Sequence, residues 1–302
     1  MLPAFCGCLH WSQSACGCRL DTCQSAVEIS KIMVNHLTIS ACVGLGFVAA
    51  FLLVALFAPY IAPYGVNDIV GSIWDYPSLN TPLGTDMLGR DLLSRFIWGA
   101  RVTIFTAAAA TGIAAAVGTS LGLLAGLRND WLDAILSRLV DLLMAIPTLI
   151  FALVLLTVLP RSIIFIVGII ALLESTRFFR LSRSVASDIA ALDYIETAIL
   201  RGETRLWIVY REILPNALAP LVAETGLRFI FAVLFLSTLS FLGLGIQPPI
   251  TDWGSLIKEN KDGLLFGVGA ALIPGAAIAL LAVSVNMVVD WILDADAGLE
   301  NE

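Results

Sequence analysis

Long apolar runs alternate with short polar stretches along this chain. Residues 37–67 hold no ionisable acid or base, and their apolar part runs roughly from Thr38 to Ala58. Residues 102–127, 142–160, 229–251 and 263–289 are also free of charge. A helix needs about 20 apolar residues to cross the hydrocarbon core of a bilayer, and each of these runs supplies that length. A shorter run, Ser162–Leu173, crosses only if flanking residues such as Pro160 and Ser175–Phe179 join it. The pattern predicts an all-α polytopic membrane protein with about six transmembrane helices.

The polar stretches have their own texture. After the first run comes a loop of about 40 residues opened by APYIAPYG, where Pro59, Pro63 and Gly65 stop the helix. Its second half places Asp86, Arg90, Asp91 and Arg95 three to five positions apart wherever they are not adjacent, as expected for an amphipathic helix on the membrane surface. In the second span Gly118, Gly122 and Gly126 recur every fourth residue beside several alanines, which lets a neighbouring helix backbone approach closely. The third span has Asp141 near one end and Pro147, a kink site, just inside it. The fifth begins after Pro215 and contains Glu224 and Arg228 four residues apart; inside a membrane such a pair is either a pathway element or a local structural ion pair. Pro274-Gly275 and Asn286 are packing or bending points of the sixth.

One insert is unlike the rest. YIETAILRGETRLWIVYREILPN, residues 194–216, carries six charges between two apolar runs. It reads as two short helices around a turn: Asp193 at an N-cap with Glu196 at N3, Gly202 just past the first helix, and Thr204 capping RLWIVYREI up to Pro215. Leu200, Leu206, Ile208, Val209 and Ile213 offer apolar surface for a soluble partner, or for lipid headgroups.

Composition sharpens this picture. The mean hydropathy is +0.91, with 59% hydrophobic and 14% charged residues, far outside the range of soluble domains. The net charge of −7 and the lack of a basic stripe argue against nucleic acid. With the N-terminus inside, Arg19, Lys31, Arg128, Arg138, Arg177, Arg180, Arg183, Arg201, Arg205 and Arg211 fall on inner loops, ten against six outside. Positive loops stay cytoplasmic, so residues 194–216 and both termini are expected there. Five of the six cysteines lie before residue 24, in C-x-C spacing tighter than zinc sites use. Residues 1–36 read as a cytoplasmic leader, with Met33 as an alternative start. The only histidines, His10 and His36, precede the first span, and no G-x-x-x-x-G-K-[ST] loop is present. The chain is therefore expected to be no enzyme, to use no cofactor or metal, and to draw any ATP-derived energy from another chain.

The stretch Glu196, Ala198, Gly202, Ile213, Leu214 and Pro215 resembles the EAA loop of bacterial ABC-importer permeases. PLGTDMLGRDLLSRFIWGARVTI (82–104) and LSFLGLGIQPPITDWGSLI (239–257) resemble the second-type permease of dipeptide, oligopeptide and nickel importers, and the likeness spans about residues 36–290. The chain differs in Thr197 for the second Ala of the motif, in Leu236 where a Glu is common, and in its closing NMVVDWILDADAGLENE. The resemblance implies a type I importer bundle in the inner (plasma) membrane that works with a second permease, two ABC ATPases and a periplasmic or surface solute-binding protein. It implies that Glu196, Thr197, Ala198, Gly202, Ile213, Leu214 and Pro215 couple the bundle to the ATPases. The expected divisions are 37–101 for the first helix and outer loop, 102–292 for the permease domain with its loop at 193–215, and 293–302 for a cytoplasmic tail. Peptides, nickel or another small solute fit as cargo. The rival reading is an ion-driven carrier built on Glu224 and Arg228, for which no internal repeat speaks.

Overall fold

A computed structural model describes residues 39–128 and 131–299. The cysteine-rich leader and Met33 lie outside the described residues. The described chain is helical, with two isolated β-bridges and no strand. We label the main helices α1 (Ile39–Leu56), α2 (Leu92–Arg128), α3 (Trp131–Ala145), α4 (Thr148–Val158), α5 (Ile163–Ala190), α6 (Asp193–Leu200), α7 (Arg205–Ile208), α8 (Leu218–Phe241), α9 (Trp253–Asn260) and α10 (Leu272–Leu299).

The frame is the pairing of α2 with α5. At 1.5 Å per residue, the 37 residues of α2 extend about 55 Å, well beyond the hydrocarbon core. Gly118, Gly122 and Gly126 form the contact. A Cβ on Gly122 would lie 2.6 Å from the Phe179 carbonyl oxygen and 2.7 Å from Ser182 Cβ, and one on Gly126 would lie 2.6 Å from the Arg183 carbonyl oxygen. The small residues thus pack two helices of one chain, backbone to backbone. Helices α1, α8 and α10 close the bundle around a core that includes Ile104, Ile170, Leu236, Leu239 and Leu281.

Four described helices are long and apolar enough to cross a membrane: α1, α2, α8 and the stretch Gly269–Asp294 around α10. A fifth span is reached if α3 and α4 count together. They meet at an 88° bend where Pro147 caps α4, so the kink expected there is a break. The least regular run of the sequence is the first half of α5, an unbroken helix of 28 residues. Glu174, Arg177, Arg180 and Arg183 end its apolar stretch early, and for this reason six spans are not reached on composition.

Two expectations are corrected. The fifth span begins just after Pro215 as expected, but the charge-free run 229–251 outlasts it: α8 stops at Phe241, where Gly243 at φ +87 lets the Leu244 and Gly243 amides bond back to Leu239 and Ser240. The expected surface helix carrying Asp86, Arg90, Asp91 and Arg95 is absent. Residues 82–91 are turns, with Gly84 and Gly89 at positive φ, and α2 starts at Leu92, where Asp91 accepts from the Ser94 amide at 2.8 Å.

Candidate functional site

Besides the Arg183–Asp133 ion pair that ties α5 to α3, three polar sites interrupt the apolar bundle, one near each end and one between them. The first is the helical knuckle of α6 and α7. Helix α6 ends in a Schellman turn: the Glu203 amide donates to the Ala198 carbonyl and the Gly202 amide to that of Ile199, with Gly202 at φ +82. Thr204 caps α7 by accepting from the Trp207 amide, as the sequence suggests. The expected cap at Asp193 is not formed. Leu192 takes the N-cap backbone position, which leaves Asp193 and Glu196 in the first turn, facing the positive end of the helix dipole. Helix α7 runs through a π-helical turn, Val209–Ile213, into Leu214–Asn216, so Pro215 sits inside a continuing helical path.

The knuckle's apolar residues separate into two sets. Ile195, Ala198, Ile208, Val209 and Ile213 are fully buried in a small core with Leu123 of α2, Ala186 of α5 and Leu221 of α8. Ile208, Val209 and Ile213 therefore offer no partner surface, contrary to expectation. Ile199, Leu200, Leu206 and Tyr210 are exposed, Leu200 at 81%. Of the expected coupling residues, Glu196, Thr197, Gly202 and Pro215 are exposed, Leu214 is half-buried, and Ala198 and Ile213 form the root. The Thr197 hydroxyl donates to the Asp193 carbonyl at 3.0 Å, so this departure from Ala is absorbed locally.

The second site contains the pair named from sequence. Arg228 Nε donates to Glu224 at 2.7 Å along α8, and its Nη1 lies 3.5 Å from Glu174 of α5. Its guanidinium also sits 4.7 Å from the Phe231 ring centre. Glu174, which the sequence reading did not single out, turns an intrahelical pair into a tie between α5 and α8.

The third site occupies the end of the bundle opposite the knuckle. Asp86 is fully buried and accepts from Arg90 Nε at 2.7 Å, from Arg95 Nη1 and from the Leu88 and Arg90 amides. Glu259 of α9 accepts from Arg90 at 2.9 Å and Arg95 at 2.6 Å. Two carboxylates and two guanidiniums balance. Arg95 also donates to Thr251, and Asn260 accepts from the Met87 amide. Beside the network, Trp253 is fully buried between Phe96, stacked at 5.6 Å, and Phe51, edge-on at 5.7 Å. Asp252 caps α9; burial pushes its carboxyl above the ordinary carboxylate range, against hydrogen bonds from Ser255, Ser240 and nearby amides. The same end holds an open cavity of about 630 Å³ lined in part by Trp98, Arg101 and Phe105. Among the described residues, no three His, Cys, Asp or Glu side chains group as a metal site requires.

Comparison with known proteins joins these features. Residues 118–295 match the family described as binding-protein-dependent transport system inner membrane component. Residues 40–82 match the N-terminal TM domain of oligopeptide transport permease C. The chain is 34% identical over 263 residues to the dipeptide transport system permease protein of Haemophilus influenzae, covering 84% of this chain and 89% of that one. It is 34% identical to a di/tripeptide transport system permease protein of Pseudomonas aeruginosa, covering 85% and 88%. To a glutathione transport system permease protein of Pectobacterium atrosepticum it is 31% identical, covering 88% of each chain.

Proposed function

The chain belongs to the family of binding-protein-dependent transport system inner membrane components and is a multi-pass permease subunit of an ABC importer; from that premise we propose that its cargo is a short peptide and that the α6–α7 knuckle takes up the work of ATP hydrolysis. Short peptides are supported by the names of the relatives, which include dipeptide, di/tripeptide and glutathione permeases. The chain pairs with a second permease, receives its cargo from a solute-binding protein outside, and meets two ATPase subunits in the cytoplasm. The excess of basic residues on the knuckle's side supports a cytoplasmic location for it and for both termini. The exposed apolar faces of α3 and α4, with Leu142 at 65% and Val154 at 58%, suit lipid or the second permease.

The split of the knuckle's apolar residues carries the coupling reading. A buried root of Ile195, Ala198, Ile208, Val209 and Ile213 fixes it to α2, α5 and α8, while Ile199, Leu200, Leu206 and Tyr210 stand free at its tip. A load on the tip then moves the helices without first deforming the knuckle. Glu196 starts the lever, Gly202 turns it, and Ile213, Leu214 and Pro215 lead it into α8.

The test is gentle purification of the tagged chain from its own membranes, wild type beside Gly202→Glu and Gly202→Asn. A Cβ at Gly202 meets nothing within 4 Å, so both variants fold at a cost of about 1 kcal/mol for the left-handed backbone, less for Asn. Recovery of ATPase subunits with wild type and Gly202→Asn, and their loss with Gly202→Glu, is the expected result. Normal uptake and ATPase recovery with Gly202→Glu would sink the lever.

A further inference from the structure

The cavity at the end opposite the knuckle has a chemistry that the network beside it does not use. Its walls are mostly apolar or aromatic: Phe105 and Trp98 from α2, Ile163 from the start of α5, and Ile250 from the segment before α9. One guanidinium lies among them, that of Arg101, half-buried and 5.8 Å from the ring centre of Trp98. Among the described residues Arg101 has no carboxylate within salt-bridge distance and no hydrogen bond, whereas Arg90 and Arg95, earlier in the chain, are both paired with Asp86 and Glu259. The Trp98 Nε1–H, shielded from solvent, is likewise without an acceptor. Of the two, only the half-buried Arg101 guanidinium can be reached from the cavity, and it has no anion to receive its N–H groups. Its lining contains Asn67, Thr106 and Thr251 but no acid.

An unpaired guanidinium against an aromatic wall is attractive to a planar two-oxygen anion, which takes two parallel N–H bonds from it. Apolar surface around it adds a preference for an anion that carries a hydrophobic side chain. The absence of an acidic lining residue means that a free ammonium gains no charged partner in the same cavity. Thr251, on the cavity wall, accepts from Arg95, so the buried network holds one side of the cavity in place. At 1.5 Å per residue, Arg101 sits about 13 Å inside the start of α2, far from the knuckle at its other end.

We propose that Arg101 and its aromatic wall form an entry site for the carboxyl end of the cargo: a C-terminal carboxylate on an apolar residue, with no requirement for a free amino end. The inference rests on the peptide-import reading but is tested separately from it. Binding of radiolabelled N-acetylphenylalanine to the purified full complex in detergent is compared with binding of N-acetylphenylalaninamide, in wild type, Arg101→Gln, Arg101→Lys and Phe105→Ala. The carboxylate binds saturably and the amide at least about tenfold more weakly, as a charge-assisted pair requires. Arg101→Gln removes that preference, Arg101→Lys keeps part of it, and Phe105→Ala weakens both ligands while the preference stays. Equal binding of acid and amide to wild type would overturn the assignment, as would an unchanged preference in Arg101→Gln. Arg101→Gln that releases the second permease yet leaves N-acetylphenylalanine binding intact would also overturn it, giving the guanidinium to the subunit contact. In cells, uptake of a dipeptide by wild type with no discrimination lost in Arg101→Gln sinks the entry site and leaves peptide import standing. Acid-selective binding without any peptide uptake keeps the site and sinks the peptide reading.

Discussion

Removing Arg95 tests whether the charges around α2 form a core or a surface. The guanidinium is 2% exposed and joins Asp86, Glu259 and Thr251. In Arg95→Met, Arg90 still faces Asp86 at 2.7 Å and Glu259 at 2.9 Å, so two carboxylates share one cation and the buried site gains a net negative charge. Breaking a buried pair from one side costs about 3–5 kcal/mol. We expect the lower end, about 3 kcal/mol, because Arg90 and two backbone amides keep Asp86 hydrogen-bonded. At roughly 2–3 °C per kcal/mol for a chain of this size, the apparent unfolding midpoint of the detergent-solubilised complex falls by about 6–9 °C. Adding Asp86→Asn restores charge balance and recovers about a third or more of the loss, a coupling that a double-mutant cycle reads directly. Raising salt leaves the difference nearly unchanged, because a buried network is weakly screened. A drop under about 2 °C that salt abolishes, with no recovery in the double mutant, would place these residues on an exposed helix, where such pairs are worth about 0–1 kcal/mol, and would refute the buried network.

Three further outcomes rest on the same packing and charge pairing. Gly122→Ala puts a methyl 2.6 Å from the Phe179 carbonyl oxygen, so α2 and α5 must part by several tenths of an ångström at a cost of about 1–3 kcal/mol; a midpoint equal to wild type would show the contact to be loose. Glu224→Gln leaves Arg228 paired with Glu174 and removes one of two carboxylates sharing that cation, so uptake persists, whereas Arg228→Met strands both acids and lowers complex yield; a stable Glu224→Gln complex without uptake would make the pair a pathway element. Asp252, raised by burial, favours its neutral form in the fold, so its contribution is complete below the ordinary carboxylate range and declines as pH rises through the raised value. Asp252→Asn keeps a capping oxygen and flattens the decline that sets in as pH rises out of the ordinary carboxylate range, while Asp252→Ala loses about 1 kcal/mol at every pH; identical pH profiles for Asp252→Asn and wild type would refute the assignment.

The parts of this fold that could be read from sequence are those in which one local property decides. Twenty apolar residues suffice for α1, α2 and α10, and Gly202 and Thr204 mark a turn and a cap by their own backbone chemistry. Helix α5 was harder, because the charges from Glu174 onward break the composition while the helix continues to Ala190. The knuckle's apolar residues looked like one surface because burial of Ile208, Val209 and Ile213 depends on Leu123 and Ala186, far away in the chain. The network at Asp86 was hidden for the same reason: its second acid, Glu259, lies 164 residues beyond Arg95. The spacing of its charges imitates a surface helix, yet Gly84 and Gly89 flank Asp86 and were the available sign of a turn.

Helix α2 connects these separate readings. Its first turns hold Arg95 and Arg101, its last hold Leu123 of the knuckle's root, and about 42 Å of helix lies between Arg95 and Leu123. Along its second half the glycine contact with α5 leaves no room for a methyl group, so the pair resists sliding or twisting apart. Helix α5 reaches both ends as well, with Ile163 at the cavity and Ala186 in the root. A displacement at the knuckle therefore has a stiff route to the opposite end of the bundle, and the tie from Arg228 to Glu174 adds α8 to that body. The bent α3–α4 segment joins this body at one point, where Asp133 of α3 pairs with Arg183 of α5; beyond it Pro147 breaks the segment, and much of its apolar surface is uncovered within the chain. On the proposed coupling, a load on the knuckle would therefore move α2, α5 and α8 together as one body.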